Sequence, residues 1–168
     1  MQISNKKTSA LKVISLSVFT MFTMMAGTYT LAENCPPLSS VSSQDINGTF
    51  HYSAGAFKGS NADTGVEPEN VDYSKKSGVK FTTATLAQRK VGSEGEDPAD
   101  KPGSIISYVK CDYEGSGADD RVRLSQRTKA FATEGKGTWE KDTNENSAKT
   151  HNKKCSASNV TDCEFNLP

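Results

Sequence analysis

Histidine appears twice in the 168 residues, tryptophan once and cysteine four times, and every methionine lies at or before Met25. These shortages exclude chemistry. Two imidazoles, His51 and His151, cannot make a three-histidine metal site. No Cys-x-x-Cys pair is present, so a thioredoxin-type dithiol is ruled out. Gly-x-Ser-x-Gly, His-Glu-x-x-His and the Walker loop are also missing. Serines and acids are common enough to assemble a Ser–His–Asp site, but no spacing favours one. No catalytic residue and no cofactor is assigned, and His51 and His151 are each expected to tolerate Ala without functional loss.

Long apolar runs are equally scarce. The one present is Val13–Ala26, VISLSVFTMFTMMA, which follows Lys6, Lys7 and Lys12. Thr30-Leu31-Ala32 then offers small residues at the −3 and −1 positions of a signal-peptidase site. The pattern predicts a secretory signal peptide over residues 1–32, with the mature chain starting at Glu33. A bilayer span needs about 20 apolar residues, more than this run supplies. A lipoprotein needs small residues before Cys35, where Glu33 and Asn34 stand.

Residues 33–168 amount to one domain's worth of chain. Without the three signal lysines, 17 cations face 20 acids, a net charge of −3. That balance gives no electrostatic footprint for nucleic acid or an anionic membrane, and no membrane insertion is expected after signal cleavage. Leu, Ile, Val and Phe number 20 among the 136 mature residues. So thin a core calls for crosslinks, as in other small exported domains.

Cys35, Cys111, Cys155 and Cys163 are an even set with no zinc-knuckle spacing, so they predict two disulfides and no metal site. The favoured pairing is Cys35–Cys111 with Cys155–Cys163. The loop Ser156–Asp162 is turn-prone, and Cys35 would anchor an otherwise polar N-terminal lead to a central strand. The competing pairing is Cys35–Cys163 with Cys111–Cys155.

The central strand is read at Ser104–Tyr113, SIISYVKCDY. Ile105, Val109, Cys111 and Tyr113 alternate against Ile106, Tyr108 and Lys110, so both faces carry apolar residues. A strand over Thr49–Ala54 follows an Asn47-Gly48 turn, with Phe50 and Tyr52 on one face and His51 on the other. A third covers Gly78–Val91, with Val79, Phe81 and Thr83 alternating against Lys80, Thr82 and Ala84. A fourth, Arg121–Gln126, turns Val122 and Leu124 inward, and a short last one covers Cys163–Leu167. The lead before Asn47 is read as extended, and residues 55–78, 92–103 and 142–154 as loops. Phe131 and Trp139 plug the core edge. Glu94, Glu96, Asp97 and Asp100, and Glu114, Asp119 and Asp120, match no EF-hand pattern and are read as solvated acids. Asn47 and Asn159 head glycosylation sequons, which matter only in a eukaryotic secretory route.

Several segments resemble a family of short, uncharacterised exported proteins of Gram-negative bacteria. They are Cys35-Pro36-Pro37, Ile46–Phe50, Val79–Ala84, Lys110–Tyr113 with Arg121–Leu124, Trp139, and the closing Cys155, Cys163 and Phe165. The resemblance implies an exported β-rich domain in the periplasm or medium and carries no activity. The expected fold is all-β, a small antiparallel sandwich or open barrel of about five strands with long polar loops. The expected function is non-enzymatic binding of a protein or glycan target. An envelope enzyme or enzyme inhibitor, or a structural envelope component, are the alternatives.

Overall fold

The computed structural model describes residues 32–60, 77–92, 99–117, 120–143 and 152–168. The expected signal segment up to residue 31, His151, and the acids Glu94, Glu96, Asp97 and Asp119 lie outside them. The fold is all-β, and its antiparallel sheets are open.

A first meander comprises β2 (Ser42–Ile46), β3 (Thr49–Ala54) and β4 (Phe57–Ser60). Its first turn is Asn47-Gly48, both at positive φ (55° and 82°), as a tight two-residue hairpin turn requires. Asp45 Oδ1 accepts the Gly48 N–H at 2.8 Å and locks that turn. A second meander comprises β5 (Lys80–Lys90), β6 (Ile105–Glu114) and β7 (Arg121–Thr128). The two meanders join where β4 pairs β7, at Lys58 opposite Ser125. On the other side, β10 (Lys153–Ser156) pairs β5, and β9 (Trp139–Lys141) pairs β10. The resulting eight-stranded order is β2-β3-β4-β7-β6-β5-β10-β9. A small sheet, β1 (Ala32–Glu33), β11 (Phe165–Asn166) and β8 (Thr133–Glu134), contributes Phe165 to the same core. Phe165 meets Phe57 of β4 edge-on, with ring centroids 6.5 Å apart.

The core lies on one face of the large sheet. A single row of that face runs Tyr52, Gly59, then Leu124, Cys111, Ala84, Cys155 and Trp139. Both disulfides rise from this row: Cys35–Cys111 and Cys155–Cys163, each with Cα atoms 5.7 Å apart. Only Ala84, fully buried, stands between the two bridges in the row, and a larger side chain there would crowd both. The pairing is the one the loop argument favoured. Beside it, the buried Tyr113 hydroxyl donates to the Pro36 carbonyl at 2.5 Å, so the lead is held by a hydrogen bond as well as a covalent bond. Burial pushes the Tyr113 phenol far up, with Asp112 adding to it, which keeps the hydroxyl a donor.

Several segments differ from their sequence reading. Residues 55–78 are not loop throughout, since β4 follows a tight turn at Gly55 (φ 62°) and buries Phe57. The lead is not extended throughout, since a 3-10 turn at Leu38–Ser40 precedes β2. Lys153 and Lys154, read as loop, open β10 because their backbone groups complete the β5 edge. Alternation in β5 also breaks. A bulge between Phe81 and Thr83 places one extra residue opposite β6, so Ala84 and Leu86 face the core and Thr83 does not. Ile105, on the same face as the buried Val109, Cys111 and Tyr113, is 57% exposed beyond the end of the core.

Two outcomes test this account. Removing the long bridge by Cys35→Ala/Cys111→Ala is expected to cost about 4.5 kcal/mol in the chain-entropy description, and Cys155→Ala/Cys163→Ala about 2.6 kcal/mol. Chemical denaturation of both pairs checks the order; equal losses would contradict it. Gly59→Ala is expected to cost more than about 2 kcal/mol, since its Cβ would stand 2.0 Å from the Arg123 carbonyl oxygen. A midpoint like the parent's would show that β4 and β7 are not so closely apposed.

Candidate functional site

The opposite face of the central strands is built from the alternate residues of the same β5, β6 and β7. Arg121, Arg123, Ser125 and Arg127 alternate on β7 against the core residues Val122 and Leu124. On β6 this face carries Ile106, Tyr108, Lys110 and Asp112. After the bulge, β5 turns Thr85, Ala87 and Arg89 to it. Register then fixes the neighbours. Lys110 lies between Ser125 and Thr85, Tyr108 between Arg127 and Ala87, and Ile106 beside Arg89.

These residues enclose a cleft of about 250 Å³. Arg89, Lys110, Arg123 and Arg127 line it, around a floor of Ile106, Tyr108 and Ser125. Among the described residues, no carboxylate lines it. Acids instead stand behind the cations. Asp112 accepts two hydrogen bonds from Arg123, at 2.5 Å from Nε and 3.1 Å from Nη2. Asp100, whose side chain is only 2% exposed, pairs with Arg127 and so ties the segment just before β6 to this face. The Lys110 ammonium lies 5.3 Å from the centre of the Tyr108 ring, a cation–π contact. Burial holds that ammonium below the usual lysine range; Arg123 and Arg89 add to the effect, and Asp112 and Asp142 oppose it. Burial raises the Tyr108 phenol, against the pull of Arg89 and Arg123, so it stays a neutral donor.

A second cleft, about 520 Å³ and wider open, lies between the two bridged segments. Leu38, Phe81, Tyr113 and Val160 line it, with Lys80 the one cation among the described lining residues. It is a packing seam with few convergent polar groups, so it offers less chemistry than the cationic cleft.

The residues singled out from sequence do not converge. His51 is exposed on β3, opposite Gln44 and Ser60. Among the described acids, Asp100 pairs with Arg127, Glu114 with Arg121 at 2.9 Å, and Asp120 accepts the Gly117 N–H at 3.0 Å. Trp139 packs half-buried at the core edge, its buried Nε1 without a hydrogen-bond partner among the described residues, and Phe131 packs there too. The four cysteines are structural. The cationic cleft escaped the sequence reading. Its signal was the run Arg121-Val122-Arg123-Leu124, read for its inward residues and not for the basic stripe opposite them. Comparison with protein-family models, curated proteins and solved structures gives no match to this chain.

The electrostatics give a direct expectation. NMR titration of the Lys110 side chain should give a midpoint below about 10.4. Asp112→Asn removes an anion that favours the charged form, so the midpoint falls further. Arg123→Gln removes a repelling cation, so it rises. Shifts in the opposite senses would show that the ammonium lies outside this field.

Proposed function

We propose that the protein is an exported, non-enzymatic binding protein that engages an anionic target through the cationic cleft. The observation that carries this reading is the convergence of four cations from three strands onto one cleft, in a chain whose expected mature form has a net charge of −3. Arg123 and Arg89 repel the Lys110 ammonium, and an anion seated beside it offsets that repulsion. Strands also hold side chains more rigidly than loops, which suits recognition. The export half of the reading rests on the signal-like N-terminus, the resemblance to exported Gram-negative proteins and the disulfides. Two bridges fit folding in an oxidising compartment. Among the described residues no helix is long and apolar enough to cross a membrane.

Ion-exchange retention tests the reading without knowledge of the target. The oxidised protein from Glu33 onward should be held at pH 7 and low salt by both phosphocellulose and carboxymethyl-cellulose, despite its negative net charge. It should elute by about 1 M salt, where the Debye length is about 3 Å. Arg89→Gln/Lys110→Gln should pass through. Free passage of the parent protein, or retention of the double variant, would overturn the reading.

A further inference from the structure

We infer that the cleft seats a tetrahedral oxyanion, a phosphate or sulfate ester, above Ser125, with the ester's organic part against Tyr108 and Ile106. The inference rests on the anion-binding reading and adds the ligand's chemical class. Ser125 is the small residue of the outer β7 stripe, flanked on its own strand by Arg123 and Arg127 and across the ladder by Lys110. Alternate residues of a strand lie about 7 Å apart. An arginine side chain is of similar length, so both neighbours border the space over Ser125. Arg89 closes the cleft from the β5 side.

Geometry separates the two kinds of oxyanion. A carboxylate is planar and is satisfied by one guanidinium, as Asp112 shows with two bonds to Arg123. The cleft presents cations from three different strands, so its donors approach from several directions. A phosphate or sulfate group, with oxygens directed outward in three dimensions, can meet them together. The cleft volume also exceeds that of a bare oxyanion. The remainder is bounded by the already buried Ile106 and by the half-buried Tyr108 ring, and that ring is the apolar surface an inorganic anion leaves uncovered. An ester fills both parts. Asp112 and Asp100 act as positioning residues, each holding one guanidinium from behind. The depressed ammonium of Lys110 is consistent with a site that gains from added negative charge.

The test is an NMR amide titration of the oxidised protein with phenyl phosphate, phenyl sulfate, methyl phosphate and benzoate at matched ionic strength. Saturable shifts at Lys110, Ser125 and Arg123 are expected for both phenyl esters, with affinity at least tenfold above benzoate and above methyl phosphate. The tighter of the phenyl esters identifies the group. Ser125→Leu fills the seat and should lose the phenyl esters by more than tenfold with an unchanged melting temperature. If that variant misfolds, Lys110→Gln should still weaken them by about tenfold. Benzoate binding as tightly as phenyl phosphate overturns the tetrahedral seat. So does the absence of saturable shifts with any probe, and in either case retention on both ion exchangers leaves the anion-binding reading standing.

Discussion

The structure depends on one covalent constraint, the bond from Cys35 to the middle of β6 at Cys111. An eight-stranded sheet with so few large aliphatic residues has an inner face that needs a cover. The N-terminal lead supplies part of it, and the lead is short and polar apart from Leu38 and Val41. Without a tether its backbone entropy would favour release. The bridge removes most of that freedom in the unfolded chain, and the Tyr113–Pro36 hydrogen bond then sets the lead's path. Cys155–Cys163 does the same for the C-terminal segment, which brings Phe165 onto Phe57. Because both bridges leave one row of the sheet, the two covers meet over its centre.

β6 carries the core and the candidate site on opposite faces. Val109, Cys111 and Tyr113 are sealed inside, while Tyr108 and Lys110 form the floor and edge of the cleft. The cleft therefore stands on a strand that a disulfide ties down from its other face. The bulge in β5 is the second structural element the site needs. It turns Ala84 and Leu86 into the core and sends Arg89 to the cleft; with unbroken alternation from Phe81, Arg89 would face inward. One inserted residue thus serves the packing and the electrostatics together.

The sequence was legible where residue type and local geometry agree. Period-two alternation located β3, β6 and β7 and assigned Phe50, Tyr52, Val122 and Leu124 to the core. Asn47-Gly48 encodes its hairpin turn because both residues accept positive φ. The cysteine pairing followed from a short, turn-prone loop and from a lead with little else to hold it. β2, β4 and β10 were not legible. Their residues, such as Ser42-Ser43-Gln44 and Lys153-Lys154, have weak strand preference and become strand through the ladder bonds of a neighbour distant in sequence.

By itself the sequence determined an all-β fold, two disulfides in an even cysteine set, and a basic alternation along β7. Each is a local property of residue type and spacing. Only the tertiary structure decided that β4 docks on β7, that a bulge reverses the faces of β5, and that Arg89, Lys110, Arg123 and Arg127 share one cleft. Those outcomes depend on strand order and register. Register is fixed by packing across the whole sheet, and a one-residue shift in it moves every side chain of a strand to the opposite face.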